Sequence, residues 1–241
     1  MRGFRAPGRL ARWAARTSAR VSRGAPALVL AALALAALAC AGVPTRRPGA
    51  DAADPVSAGP PTARATASRV RLETDLGAIV LEVYPDRAPA SAANFLRYVD
   101  EGRFDGASFY RVVTPDNQPD NPVKIEVVQG GLGFADDHPR RLPPIPHETT
   151  AETGLAHRDG TVSMARLEPG TASSEFFICV GDQPELDFGG RRNPDGQGFA
   201  AFGRVVEGMD VVRRIHALPA DGQMLAEPVT IRRAVRVGDT R

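Results

Sequence analysis

The stretch RVRLETDLGAIVLEVY, residues 69–84, carries the pattern that decides the fold class. Apolar and polar residues alternate over 69–74 and again over 78–84, on either side of Asp75, Leu76 and Gly77. Alternation with a period of two is typical of half-buried β-strands, and the three residues between them have turn composition. The sequence therefore predicts a β-hairpin at the start of the folded region.

Working outward from this hairpin, the chain continues with mostly strand-like segments. A helix is predicted at 91–99, where apolar residues recur at helical spacing before Gly102, and a second at 209–216. The further predicted strands are 108–113, 125–129, 161–165, 176–180, 200–205 and 229–237. Eight strands with two helices favour a closed β-barrel or a β-sandwich, and the pattern alone does not choose between them.

Residues 1–39 have a different composition from the rest. They hold seven Arg and no Asp or Glu, and an Ala/Leu-rich run over 25–39 follows the basic part. A basic region followed by a short apolar run predicts a secretory signal peptide. The run is shorter than the roughly 20 apolar residues that a bilayer span requires.

Cys40 directly follows this run. The sequence ALAC at 37–40 resembles a bacterial lipobox, in which the cysteine becomes the lipidated first residue, and Ala-Leu-Ala also fits an ordinary A-x-A cleavage site. We expect a lipoprotein of the periplasm, with a soluble periplasmic product and an uncleaved anchor as alternatives. Ala41, in place of an aspartate, favours the outer membrane if the host is Gram-negative.

Residues 40–68 are rich in Pro, Gly, Ala and Thr and show no apolar periodicity. This composition predicts a disordered tether, which leaves 69–241 as the folded domain. Without the seven arginines of the leader, the remaining chain has a formal charge of about −5. The composition therefore gives no basic patch that would indicate a nucleic-acid partner.

Six blocks occur in the order seen in cyclophilins: FYRVV at 109–113, VQGG at 128–131, GTVSMAR at 160–166, SEFFI at 174–178, LD at 186–187 and FGRVVEG at 202–208. Over about residues 70–237 the chain resembles this family. The resemblance implies an eight-stranded antiparallel barrel with two capping helices. It also implies a peptidyl-prolyl cis-trans isomerase that acts on proline-containing polypeptides, and we expect the protein to be a monomer. Neither a metal nor a cofactor is needed, because binding the twisted amide better than either planar form suffices for catalysis.

The resemblance also implies the site residues. It gives Arg111 the role of donor to the prolyl nitrogen. The residues that it implies for the substrate pocket and groove are Val127, Gln129, Ala165, Arg166, Glu175, Phe177, Leu186 and Phe199. Adjacent residues of a strand face opposite ways, so one of Phe176 and Phe177 lies in the core and the other in the pocket. The sequence does not say which.

The chain departs from the family at several pocket positions, and two of these are acidic here. Glu175 stands where the family has glutamine; a pair with Arg111 would hold that arginine in place or draw it away from substrate, and Arg166 is the alternative partner. Glu126 falls where a pocket phenylalanine is common, unless Ile125 turns inward by a local shift. Cys179, in an apolar run, is predicted to be a small buried hydrophobe, and the four histidines lack the spacing of metal ligands.

Two long polar loops, 114–124 and 188–198, also depart from the family pattern, and loops of this kind are by default solvated. Glu126 and Glu175 favour a rival function, a cyclophilin-like barrel that binds proline-containing peptides with little catalysis. Arg111 and Phe177 favour the enzyme. Use of the barrel only as a scaffold has no positive feature behind it.

Overall fold

The computed structural model describes residues 67–135 and 137–238. The predicted signal peptide, Cys40 and nearly all of the predicted tether lie outside the described residues. The strands are β1 (Ser68–Thr74), β2 (Gly77–Val83), β3 (Ala107–Val113), β4 (Val127–Gly131), β5 (Thr161–Met164), β6 (Phe176–Cys179), β7 (Ala200–Glu207), β8 (Ala220–Asp221) and β9 (Met224–Val237). The helices are α1 (Pro89–Asp100), α2 (Thr150–Thr153) and α3 (Met209–His216), with 3₁₀ turns at Pro115–Asn117 and Pro184–Leu186.

The strands form a closed barrel. Their order is β1-β2-β7-β5-β6-β4-β3-β9, every pairing is antiparallel, and β9 pairs back onto β1. The two-residue strand β8 adds a short hairpin to β9. Closure pairs the backbone groups of the edge strands that an open sheet would expose. Of the two architectures that the sequence pattern left open, the structure is therefore the barrel and not the sandwich.

The first hairpin forms as its sequence predicts. Thr74 pairs with Gly77, and the Thr74 hydroxyl donates to the Gly77 carbonyl at 2.6 Å and accepts from the Leu76 amide at 3.1 Å. The predicted helix at 91–99 lies within α1, and the one at 209–216 coincides with α3. The short elements α2 and β8 were not predicted. None of the helices in the described part of the chain has the length and apolar character to cross a membrane.

Aromatic rings fill the barrel core. Phe95 of α1 lies 5.3 Å from Phe104, 5.3 Å from Phe176 and 5.0 Å from Phe202 between ring centroids, and all four are buried. Tilted and edge-on ring pairs of this kind add to the free energy gained from burial of apolar area. The contacts attach α1 to the wall of the barrel.

Strand alternation separates the buried side chains into two clusters. In β6, Phe176 and Ile178 belong to the barrel core, whereas Phe177 and Cys179 belong to a smaller apolar cluster. Successive side chains of a strand point to opposite faces, so the two clusters lie on opposite sides of the barrel wall. We call the smaller one the outer cluster.

Candidate active site

The outer cluster contains every apolar residue predicted for the substrate pocket. Its buried members are Val113, Ile125, Val127, Phe177, Cys179 and Leu186, and the partly exposed Ala165 and Phe199 pack against them. The ring of Phe199 meets that of Phe177 edge-on, with centroids 5.3 Å apart and planes at 90°. The five apolar residues predicted for the pocket, which are far apart in the sequence, therefore meet on one face of the barrel wall.

Ile125, two residues before β4, takes the pocket position, and Glu126 does not. Ile125 is buried in the outer cluster, while the Glu126 carbonyl accepts from the Val180 amide at 3.0 Å. Gln118, a buried residue of the 114–124 loop, donates its side-chain amide to the Ile125 carbonyl at 2.8 Å. The long loop thus holds the backbone at Ile125, whose side chain lies on the same face as that of Val127 two residues later.

Arg111 lies at a β-bulge in β3. The register between β3 and β4 shifts between Phe109 and Arg111, which leaves Tyr110 as the extra residue. Phe109 and Val112 belong to the barrel core, so the two residues between them turn to the outer face together. A bulge re-aims side chains in this way, and here it places Tyr110 and Arg111 side by side.

Two glutamine oxygens hold the Arg111 guanidinium. Nη1 donates to Gln129 Oε1 at 2.5 Å, and Nε and Nη2 donate to Gln223 Oε1 at 3.1 and 2.5 Å. Gln223 in turn donates to the carbonyl of Asn117, in the 114–124 loop, at 3.0 Å. Burial, with a smaller contribution from the charge of Arg192, lowers the pKa of Arg111 to about 10, so the guanidinium stays protonated at neutral pH.

The role of Gln223 was missed from the sequence. It lies between β8 and β9, directly after Gly222, whose φ of +58° suits a tight turn. Asp-Gly is a strong hairpin signal, so the turn at 221–222 could have been predicted. The contact with Arg111 could not, because 112 residues separate the two in sequence.

The polar and apolar parts of the site share one row across the barrel wall. Arg111 pairs with Gln129, Gln129 with Phe177, and Phe177 with Ser163, on strands β3, β4, β6 and β5. Neighbouring strands lie nearly 5 Å apart, so the backbones of Arg111 and Phe177 are about 10 Å apart. The guanidinium donor and the apolar pocket therefore lie within the span of a short peptide.

Glu175 pairs with a different arginine from the two that the sequence suggested. Its carboxylate contacts Arg141 at 3.4 Å and accepts from the Ser174 hydroxyl at 2.8 Å, the Leu132 amide at 3.1 Å and the Tyr110 hydroxyl. Burial raises its pKa above the ordinary value, against the opposing effect of these hydrogen bonds. The sequence left Arg111 and Arg166 open as partners of Glu175, and the structure gives Arg141, which arrives from a separate loop.

Arg166 pairs with the second long loop. Its guanidinium holds Asp195 through two hydrogen bonds of 2.7 and 3.0 Å, donates to the Gly198 carbonyl, and lies 5.3 Å from the centroid of Phe199. Arg192, in the same loop, donates to Gln118 of the 114–124 loop at 2.6 Å. These contacts fasten both loops to the barrel beside the pocket.

A buried histidine, not predicted as part of the site, underlies the pocket. The ring of His157 stacks on Phe177 with centroids 5.9 Å apart and planes at 17°. Its Nδ1 lies 2.7 Å from Asp187 Oδ1, and its Nε2 lies 2.9 Å from Ser163 Oγ. Burial would raise the pKa of Asp187, but the hydrogen bonds from His157 bring it below the ordinary value.

The remaining reactive side chains near the pocket point to no other chemistry. The Cys179 thiol is fully buried, and that burial raises its pKa well above the ordinary range, as expected for a packed hydrophobe. Within residues 67–135 and 137–238, no three His, Cys, Asp or Glu side chains come together as metal ligands. What the site offers is a fixed cationic donor beside an apolar surface.

A closed eight-stranded antiparallel barrel with such a site on its outer wall defines a cyclophilin-like protein. Residues 69–236 match the sequence profile of the family described as "Cyclophilin type peptidyl-prolyl cis-trans isomerase/CLD", and the chain belongs to this family. It is accordingly a peptidyl-prolyl cis-trans isomerase, which acts on proline-containing peptides.

Similar proteins include bacterial isomerases. The chain is 40% identical over 149 residues to "Peptidyl-prolyl cis-trans isomerase cyp18" of Streptomyces antibioticus, which is 61% of this chain and 82% of that protein. It is 35% identical over 147 residues to "Peptidyl-prolyl cis-trans isomerase B" of Escherichia coli, covering 61% and 82%. A solved cyclophilin structure from Cryptosporidium parvum matches with a TM-score of 0.56 at 21% identity, over 72% of this chain and 99% of that one, which supports the fold.

Proposed function

We propose that Arg111 is the catalytic residue of this isomerase and that the outer cluster holds the proline ring of an X-Pro segment. The observation that carries the proposal is the shared row: Arg111, Gln129 and Phe177 are successive partners on three neighbouring strands. A proline ring seated against Phe177 leaves its nitrogen on the side of the guanidinium. Gln129, between them, is the neighbour that aligns Arg111.

The chemistry of the bond explains why a donor is sufficient. Amide resonance makes rotation about C–N cost about 18–20 kcal/mol. In the twisted state the resonance is lost and the nitrogen lone pair becomes available as an acceptor. A hydrogen bond from Arg111 to that nitrogen exists only in the twisted state, so it lowers the barrier without stabilising either planar form.

The surroundings of Arg111 strengthen such a bond. The guanidinium is half-buried, and its two glutamine partners are neutral and hold it in a fixed orientation. A preorganised donor in a partly dry site stabilises developing charge more strongly than one in water. The apolar walls provided by Phe177, Leu186 and Phe199 exclude water from the proline ring.

Replacement of Arg111 tests this role. We expect Arg111→Ala to lower kcat/KM for an X-Pro peptide by about 10²–10³-fold, the usual loss when a preorganised donor is removed. Arg204→Ala is the matched control, because Arg204 is an exposed strand arginine paired with Glu82 at 2.9 Å. Cis-to-trans isomerisation would be followed on the full-length protein. Equal activity in both variants would exclude Arg111 from the mechanism and leave a different donor to be found.

The place of action is a second part of the proposal. Residues 1–39 act as a signal peptide, Cys40 carries a lipid, and residues 40–68 tether a monomeric isomerase domain to a periplasmic membrane surface, with the outer membrane favoured. The basic region, the apolar run and the ALAC sequence support this assignment. The substrates of the isomerase are extended X-Pro segments of exported proteins that have not yet folded.

Lipid attachment can be tested separately from catalysis. In cells fed a labelled fatty acid, we expect the wild-type chain to carry the label in the membrane fraction and Cys40→Ser to carry none. Wild-type protein that is unlabelled and soluble after cleavage would instead establish the ordinary A-x-A signal. Either result leaves the isomerase assignment unchanged, because Cys40 lies outside the matched residues 69–236.

A further inference from the structure

A continuous hydrogen-bonded chain connects Glu175 to Arg111. Arg111 Nη1 donates to Gln129 Oε1 at 2.5 Å, and Gln129 Nε2 donates to Tyr110 Oη at 2.9 Å. The Tyr110 hydroxyl then donates to the Glu175 carboxylate. Tyr110 and Gln129 are buried and Arg111 is half-buried. We call these four residues the relay.

The chemistry of its two ends fixes the direction of the relay. A guanidinium can only donate hydrogen bonds, and an ionised carboxylate can only accept them. Arg111 therefore requires the oxygen of the Gln129 amide, which turns the Gln129 nitrogen toward Tyr110. Because Tyr110 accepts there, its own proton must go to Glu175.

A neutral glutamine at position 175 would not impose this direction. Its amide can donate as well as accept, so Tyr110 could accept from residue 175 and donate to Gln129. The Gln129 amide would then present its nitrogen to Arg111, donor against donor. Arg111 would keep its bond with Gln129 in one arrangement and lose it in the other, so the relay would no longer fix the orientation of the guanidinium.

The structure fixes the Glu175 carboxylate itself. Its Oε1 accepts from the Ser174 hydroxyl and the Leu132 amide and contacts Arg141, which also donates to Ser174 at 2.7 Å. Space for the carboxylate comes from Gly131, at φ +142°, where a Cβ would lie 2.5 Å from Glu175 Oε2. Oε2 is thereby directed at Tyr110.

We infer that Glu175 is a positioning residue for catalysis, which orients Arg111 through Tyr110 and Gln129. The inference rests on the proposed catalytic role of Arg111. It assigns the carboxylate a supporting role, which corresponds to the alternative in which Arg111 is held in place and not to the one in which it is drawn away from substrate.

Two variants break the relay at different points. We expect Glu175→Gln and Tyr110→Phe each to lower kcat of the full-length isomerase by about tenfold with little change in KM, since a misaligned catalytic group costs rate. The double variant should lose no more than either single one, because residues that act as one unit are not additive. Glu82→Gln is the matched control: Glu82 also accepts from a tyrosine, Tyr84, at 2.8 Å and pairs with an arginine, but on another part of the barrel.

A pH profile supplies a readout that a purely structural role would not change. The groups that face Glu175 are Tyr110 from β3, Arg141 from the loop after β4, Ser174 and the Leu132 amide. Burial raises the pKa of Tyr110 well above its ordinary value, so Tyr110 keeps its proton in acid, and Glu175 is the carboxyl group at this end of the relay. With a blocked peptide that has no ionisable side chain, wild-type kcat should fall as the pH is lowered through the raised pKa of Glu175, and this fall should be absent in Glu175→Gln.

The results separate this inference from the proposed function. Wild-type rates in Glu175→Gln, higher rates in that variant, or additive losses in the double variant would each overturn the role of Glu175, while a collapse in Arg111→Ala would still support the catalytic arginine. Full activity in Arg111→Ala would overturn the proposed function and, with it, the route from Glu175. Circular dichroism melts of each variant confirm that folded protein is compared.

Discussion

The two faces of β6 use neighbouring residues for opposite purposes. On the inner face, Phe176 lies among aromatic rings, with centroids 5.3 to 5.7 Å from Phe95, Phe104 and Phe109. On the outer face, Phe177 lies between Phe199 and the ring of His157, beside hydrogen-bonding side chains. One barrel wall thus carries the core on one side and the proposed substrate pocket on the other. Stability and activity should therefore respond to different residues of the same strand.

The largest effect is expected from Phe176→Ala. Removing a fully buried ring should lower the free energy of unfolding by about 3–5 kcal/mol. Phe177→Ala should lower the free energy of unfolding by about half as much, because water can enter the space at the outer face. It should nevertheless lower kcat/KM by about 10- to 100-fold, because the apolar contact with proline is lost. Urea denaturation of both variants measures the loss of stability, and peptide isomerisation measures the loss of kcat/KM. Equal losses of stability would remove the distinction between the two faces.

An intermediate effect is expected from His157→Leu, which changes the base of the outer cluster. The substitution keeps an apolar contact for Phe177 but removes the side-chain partner of Ser163 and one of the two hydrogen bonds that Asp187 accepts from His157. Ser163 is fully buried and Asp187 is partly exposed, so the loss should be about 1–3 kcal/mol.

The same variant has a signature in acid. The pKa of Asp187 is lower in the folded state than its ordinary value. In the wild type, the ionised Asp187 therefore stabilises the fold above the ordinary carboxyl pKa, and this stabilisation is lost as the pH falls through the folded-state pKa. His157→Leu should therefore lose less stability than the wild type below about pH 4. Urea melts at several pH values check this, and parallel acid profiles would contradict the pairing of Asp187 with His157.

The smallest effect is expected at a pair that belongs to neither face. Arg236 of β9 holds Asp100 at the end of α1 through two contacts of 2.7 Å, and both side chains are nearly half exposed. Exposed ion pairs contribute about 1 kcal/mol or less. Asp100→Asn should thus shift stability slightly, less so at high salt, and leave kcat/KM unchanged. A large loss of activity would mean that the outer cluster is coupled to this distant end of α1.

Much of the fold could be predicted from local pattern. The alternation in 69–84 gives the first hairpin, and helical spacing gives α1 and α3, because these elements are defined by residues within a few positions of one another. The boundaries of β4 and β9 were less accurate. β4 runs Val127–Gly131 instead of 125–129, and β9 begins at Met224 instead of 229, since strand ends depend on where a partner strand begins.

The site could be predicted only as a set of residues. The family order of short blocks gave Arg111 and five apolar residues, and the structure brings those five together. His157 and Gln223 were missed, because a histidine or glutamine in a loop has no local sequence feature that marks it as a contact. Glu175 was recognised as unusual, but its partner Arg141 was not, because that pairing depends on the path of a separate loop.

The sequence by itself determined the first hairpin, the helices α1 and α3 and most of the longer strands, because periodicity is a local property, and the family resemblance supplied the pocket residues. Only the tertiary structure decided that Phe176 faces the core and Phe177 the pocket, and that a bulge turns Tyr110 and Arg111 to the same face. Strict alternation would have put Tyr110 and Arg111 on opposite faces. The physical reason is register: which face a residue takes depends on its pairing with strands distant in the sequence, and a shift of one residue reverses it.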